Sequence, residues 1–171
     1  MHDITLLGTM GAFLDAVFAD IDRARRRVLV ECYIVRSDKL GRALGERLVA
    51  AVRRGVRAQL LYDPFGSVEA DPDFFRALAA EGVEVRPFSK KGIFGQLNPR
   101  PRNHSRMVVT DDAAYTGGFA WADPWLPASL GGGGWHDVAC RLTGPVVDDF
   151  VLVFQQRWRE SQGRGGGCKA S

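Results

Sequence analysis

VLVECYIVRSDKLGRALGERLVAAVRRGVRAQLLY, residues 28–62, reads as a strand, a helix and a second strand. Val28 to Val35 is a short apolar run rich in β-branched and aromatic residues, the composition of a buried strand. Ser37 or Asp38 stands where a helix N-cap belongs, and Leu40, Leu44, Leu48, Ala51 and Val52 fall on one helical face. Arg53 and Arg54 supply a basic last turn and Gly55 a residue suited to helix termination. Val56 to Tyr62 is the next strand. Two strands bracketing a helix at this spacing require a crossover, which is right-handed and pairs the strands in parallel.

The same grammar extends outward. Before this unit, Met10, Phe13, Leu14, Val17, Phe18 and Ile21 recur at three- and four-residue steps, a helix with one buried face. Arg23, Arg25, Arg26 and Arg27 follow it, read as a solvated helix end in preference to a nucleic-acid patch. After the unit, Asp63-Pro64-Phe65-Gly66 ends the strand. Asp71 or Asp73 starts a short helix through Phe74, Phe75, Leu78 and Ala79, which Gly82 closes, and Val83 to Phe88 is a third strand. Ser89 to Asn103 holds Gly92, Gly95, Pro99 and Pro101 among Lys90, Lys91, Arg100 and Arg102, a mobile basic loop. Arg106 to Thr110 and Ala113 to Thr116 flank an Asp111-Asp112 turn. A Pro- and Gly-rich loop, Asp123 to Trp135, leads to a last strand, Val138 to Leu142. Gly144-Pro145 then opens a final helix with Val147, Phe150, Val151, Phe154 and Trp158 inward. The expected fold is α/β: a mixed, largely parallel sheet flanked by helices on both faces. A single domain occupies residues 1–160, and residues 161–171 form a flexible Gly-rich tail.

The chain has 171 residues, 46% of them hydrophobic and 25% charged, the balance of one soluble globular domain. Pervasive disorder, a collagen repeat and a disulfide-stapled miniprotein are excluded. A formal charge of +3 accommodates an anionic ligand or an acidic membrane surface without demanding either. No apolar stretch approaches the roughly 18–20 residues of a membrane span, and MHDITLLGTMG lacks the features of a secretory signal. Cys32, Cys140 and Cys168 are an odd set without metal-type spacing, which suits free thiols in a reducing compartment. The expected location is the cytoplasm or the inner face of the cell membrane.

Of the histidines His2, His104 and His136, His104 has the most suggestive neighbour. Residues two apart on a strand share a face, so His104 and Arg106 project together. An imidazole can attack phosphorus while a guanidinium holds the non-bridging oxygens through parallel hydrogen bonds. By itself, such a pair is more often a surface feature than a site.

The context is stronger than the pair. The stretch His104 to Gly118 resembles the His-x-Lys-x4-Asp…Gly-Gly motif of the phospholipase D superfamily. Glu31-Cys32-Tyr33-Ile34, Arg54-Gly55-Val56, Leu60-Leu61-Tyr62-Asp63 with Phe65-Gly66-Ser67, Gly82-Val83-Glu84-Val85, and Asp137 with Arg141-Leu142-Thr143-Gly144-Pro145 are similar to the N-terminal half of bacterial cardiolipin-synthase-like members. The resemblance covers residues from about 10 to 160, in order.

This resemblance implies a phosphodiesterase or phosphatidyltransferase acting on phospholipids through a phosphohistidine, without metal or organic cofactor. His104 takes the role of the attacking histidine and Arg106 stands at the family's lysine. Asp111 matches the motif aspartate, a candidate for the catalytic set that is read as a structural hydrogen-bonding group ahead of an acid. Asp137 is the candidate to orient the imidazole, with an ordinary loop-to-strand residue as the alternative. Gly117 and Gly118 match the glycines that let backbone approach the phosphate. Thr116 and Trp121 complete the substrate-binding candidates. Phe119, Trp121, Trp125 and Trp135 are expected either to line an apolar groove for lipid or, slightly favoured, to form a satellite core under the loop.

Three departures qualify the expectation. A planar guanidinium at Arg106 does not replace an ammonium without moving the phosphate. Ala120 stands where many members carry asparagine, and losing one such donor costs on the order of 10²–10³ in rate. The family's site uses two motifs and this chain has one, since His136 lacks the motif context. A homodimer mate or a missing C-terminal half is the expected source of the second. A single-motif dimeric endonuclease using the basic loop, and a degenerate phosphate-binding or dimerisation domain, are the competing readings.

Overall fold

Local signals start and stop the helices. The computed structural model describes residues 2–88 and 103–161. Lys90, Lys91, Arg100 and Arg102, and all but the first residue of the tail, lie outside them. In helix α1, Met10–Arg23, the Thr9 hydroxyl accepts the Ala12 amide at 3.1 Å. In α2, Lys39–Arg53, the Asp38 carboxylate accepts from Gly41 at 3.1 Å. In α3, Pro72–Ala80, Asp71 accepts from Asp73 at 2.9 Å and Pro72 sits at the first turn, where its missing N–H costs nothing. Gly55 and Gly82 follow α2 and α3 with φ of +84° and +92°, a conformation that favours glycine.

Seven strands form one sheet: β1 (Asp3–Leu7), β2 (Arg27–Cys32), β3 (Arg57–Tyr62), β4 (Glu84–Pro87), β5 (Met107–Val109), β6 (Ala113–Gly117) and β7 (Ala139–Thr143). Their order is β1-β7-β6-β5-β2-β3-β4. The sheet is mixed, and its parallel character is confined to β2–β3 and β3–β4, the pairs joined through α2 and α3. The pairs β2–β5, β5–β6, β6–β7 and β1–β7 are antiparallel. A two-residue Asp111-Asp112 turn leaves β5 and β6 no other geometry. The sequence reading did not place β1. It is an edge strand on which only Leu7 is buried while Ile4 and Leu6 are exposed, so its apolar residues lack a core partner to betray them.

Alternation along the strands sorts the core into two layers. Val28, Val30, Ala58, Leu60, Val108 and Tyr115 pack against α1, α2 and α3. Leu29, Leu61, Met107, Val109 and Ala114 pack on the other face against Val147, Phe154 and Trp158 of α4, Val146–Glu160. Helices therefore cover both faces, as expected. The arginines at the amino ends of β2 and β3 are largely committed: Arg26 to Asp111, Arg27 to Asp148, Arg53 to Glu81 and Arg57 to Glu84. A cation already paired with a carboxylate contributes little to a nucleic-acid patch.

Candidate functional site

Because β5 runs antiparallel to β2 with Met107 opposite Glu31, the residues before Met107 lie over the carboxyl end of β2. In open α/β sheets the carboxyl ends of the parallel strands are where ligands bind. His104 is exposed there, and its ring lies on the Tyr33 ring with centroids 3.9 Å apart and planes at 18°. Tyr33 is held from below. A Cβ on Gly66 would overlap the Tyr33 carbonyl, and the Ser67 hydroxyl donates to that carbonyl at 3.3 Å while accepting from Val35 at 3.0 Å.

The backbone around His104 is pinned on both sides. The Asn103 amide donates to Asp63 Oδ2 at 2.8 Å, and the other Asp63 oxygen accepts from Phe65 and Gly66 at 2.9 and 3.0 Å. Ser105 donates its amide to Asn103 Oδ1 at 3.0 Å, closing a turn over His104. The Thr116 hydroxyl donates to the Arg106 carbonyl at 3.1 Å.

Arg106 is half-buried and its guanidinium donates to the Gly118 carbonyl, which also accepts from Trp125 Nε1 at 3.3 Å. The glycine pair is required by space. A Cβ on Gly117 would meet Val138 and Ala139 backbone, and one on Gly118 would occupy the place of the Asp137 carboxyl group. Arg106, Thr116, Gly117, Gly118 and Asp137 thus gather at the end of the sheet that carries His104.

Asp137 and Trp121 differ from the sequence expectations, and Asp111 takes the structural of its two readings. Asp137 makes no hydrogen bond to His104; its Oδ1 accepts from the Val138 amide at 3.0 Å and its carboxyl lies over Gly118. Asp111 sits beyond the far end of β5, about 16 Å along an extended chain from Arg106. There it accepts the backbone amides of Arg25, Arg26 and Arg27 at 2.7, 3.1 and 3.0 Å, a structural clasp without access to the site. Trp121 is fully buried against Phe13, Phe18 and Phe119, and its backbone pairs with Ile34 and Arg36, so no substrate reaches it. Phe119 shares that core. Trp125 and Trp135 instead stack at 5.5 Å, with Trp135 62% exposed. Ala120 is fully buried, and His136 is exposed in the loop before β7.

Sequence reasoning gave no role to Tyr33, Asp63, Asn103 or Arg157. Tyr33 and Asp63 each lie just past a strand end, in stretches that resemble the family, and those two signals marked them. Glu31 is fully buried, and burial pushes its carboxyl up despite hydrogen bonds from Asn103 and Arg157. Burial likewise pushes the Cys32 thiol up to about 11, so it stays protonated and inert beneath the site. Among the described residues, no three His, Cys, Asp or Glu side chains cluster to hold a metal ion, and no helix is long and apolar enough to cross a membrane.

The mixed sheet with helices on both faces matches the fold of phospholipase D-like structures. No family profile matches the chain. It is 30% identical over 148 residues to the cardiolipin synthase of Oceanobacillus iheyensis, covering 86% of this chain and 31% of that protein. With the cardiolipin synthase of Geobacillus kaustophilus it shares 33% over 147 residues, 84% of this chain and 29% of that protein. The chain spans about a third of the length of these curated relatives. Among solved structures, NucT from Helicobacter pylori superposes with a TM-score of 0.74 at 14% identity, covering 94% of this chain and 98% of that one. The phospholipase D family member Nuc from Salmonella typhimurium gives 0.68 at 18%, covering 94% and 96%. In sequence the chain is similar to these cardiolipin synthases, and in fold to phospholipase D family structures.

Proposed function

We propose that this chain carries one half of a phospholipase D-type site that cleaves or transfers phosphodiesters of glycerophospholipids, as the names of its cardiolipin-synthase relatives suggest. The observation that carries the reading is the exposed His104 ring, held on Tyr33 at the end of the sheet where the Arg106 guanidinium meets the Gly118 carbonyl. A His104 nitrogen attacks phosphorus, and the bond from phosphorus to the leaving alcohol breaks. That alcohol takes a proton from the histidine of a second motif. The same histidine then removes a proton from an incoming alcohol or water, which attacks phosphorus and releases His104. An alcohol completes transfer; water completes hydrolysis. Arg106 spends Nη1 on Gly118 and leaves Nη2 and Nε for the non-bridging phosphate oxygens. Exposed Leu130, Trp135 and Val138, at 52%, 62% and 50%, offer apolar surface to an acyl chain.

The second motif comes from a dimer mate or from a further half of the protein. The near-complete coverage of Nuc supports the first source, since there a chain of this extent is a whole structure. The test is turnover of mass-labelled phosphatidylglycerol vesicles by wild type and His104→Ala, with a DNA substrate as a parallel arm. Loss of lipid turnover in the variant, and an acid-labile phosphate on His104 in the wild type, are the expected results. Equal turnover by both proteins refutes the mechanism, and cleavage of DNA alone refutes the lipid assignment.

A further inference from the structure

We infer that Glu31 and Arg157 are positioning residues for His104, holding it through Asn103. The inference rests on the proposed role of His104.

Glu31 sits in β2 on a face it shares with Leu29, Leu61, Met107, Val109 and the buried Gln59, and it is fully buried. A carboxylate there forfeits its hydration, and an apolar side chain of similar volume would pack at lower cost. What the carboxylate provides is a shared acceptor. Its Oε1 receives Asn103 Nδ2, and Arg157 Nη1 from α4 at 2.8 Å. Its Oε2 has no hydrogen-bond partner among the described residues, so this one oxygen carries both contacts. Arg157 Nη1 also reaches Asn103 Oδ1 at 3.1 Å, which closes a triangle of three side chains.

Asn103 is the member that matters for chemistry. Both ends of its amide are used inside the triangle, its backbone N–H is held by Asp63, and its Oδ1 accepts from Ser105. The residue spanned by those bonds is His104, whose own ring rests on the Tyr33 face. Releasing Asn103 frees the turn that presents the imidazole, and a displacement of about 1 Å costs about 10²-fold in rate. Through this triangle α4 sets the direction of attack.

The experiment compares Glu31→Gln, Arg157→Gln and Arg157→Lys in the full chain. Gln155→Ala serves as the control, because it cuts another α4-to-sheet contact, Gln155 Nε2 to Gln59 Oε1 at 3.1 Å, without touching Asn103. Two readouts are taken: steady-state lipid turnover, and the NMR resonance of the His104 Cε1 proton, which the Tyr33 ring current displaces. Tyr33→Leu supplies the unstacked reference. Glu31→Gln and Arg157→Gln should lower kcat by about ten- to a hundredfold with KM within about twofold, and move the resonance toward the reference. Since Arg157 uses one nitrogen for both bonds, lysine should restore most of each signal. Gln155→Ala should leave both unchanged. Wild-type kcat and resonance in Glu31→Gln and Arg157→Gln, with His104→Ala inactive, overturn the positioning role and leave the mechanism standing. Full turnover in His104→Ala overturns the mechanism, and the resonance alone then decides whether the triangle orients the ring.

Discussion

Asp111→Ala separates the structural clasp from the chemistry most cleanly. The side chain is 13% exposed and accepts three consecutive backbone amides, those of Arg25, Arg26 and Arg27. The Arg27 amide lies at a part-buried position, where losing a charged acceptor costs about 1.5–3 kcal/mol. Arg25 and Arg26 are exposed and their amides rehydrate, so each adds about 0.5 kcal/mol. The Arg26 guanidinium at 3.8 Å is a surface pair that contributes little. The total, about 3 kcal/mol, should lower Tm by about 6–12 °C for a domain of this size. Asp111→Asn keeps one acceptor oxygen and should lose about half as much.

The informative assay is turnover of labelled phosphatidylglycerol well below the reduced Tm, alongside a thermal melt of the same preparation. Asp111 lies at the other end of β5 from Arg106, so the folded variant should turn over at the wild-type rate. A variant that melts like wild type yet has no activity would show that Asp111 belongs to the reacting centre. An unchanged Tm with full activity would show that the three amides need no anion.

Gly118→Ala places a methyl where the Asp137 carboxyl lies, and should cost about 1–3 kcal/mol and most of the activity; a wild-type melt would mean that Asp137 is free to move aside. Trp121→Ala should destabilise by about 3–5 kcal/mol in urea titration, whereas Trp135→Ala should leave stability unchanged and weaken binding to anionic vesicles. Equal melts for the two variants would refute the division between core and surface tryptophans. Burial draws the Asp20 carboxyl up, but hydrogen bonds from Arg141, Tyr115 and Arg23 outweigh that and hold it below its ordinary value. A lowered carboxyl stabilises fully above its unfolded value of about 4 and loses that contribution as pH falls toward the folded one. Asp20→Asn should therefore be less stable at neutral pH and show a shallower acid limb in urea titrations from about pH 6 to 3; an acid limb as steep as wild type would remove Asp20 from the acid sensitivity.

Much of the architecture was legible because it is written locally. The caps at Asp38 and Asp71, the glycines after α2 and α3, and the apolar stripes of α1, α2 and α4 all act within a turn or two of their own position. β1 escaped notice because an edge strand needs no buried face. The extent of parallel pairing was overstated because the order of strands follows from contacts between residues far apart in the chain.

The site divides along the same line. His104, Arg106, Thr116 and the Gly117-Gly118 pair stand close together in the chain and were singled out by their resemblance to the family motif, although His104 and Arg106 lie before β5 and not on a strand as expected. Distant partners decided the rest: Asp63 and Glu31 reach Asn103 across 40 and 72 positions, Arg157 reaches it across 54, and Arg25 meets Asp111 across 86. Whether a carboxylate orients a ring or clasps a loop, and whether a tryptophan faces lipid or core, depends on which side chains folding brings within a few ångströms. Spacing along a chain cannot encode that, because packing selects those neighbours only once the sheet and its helices have closed around them.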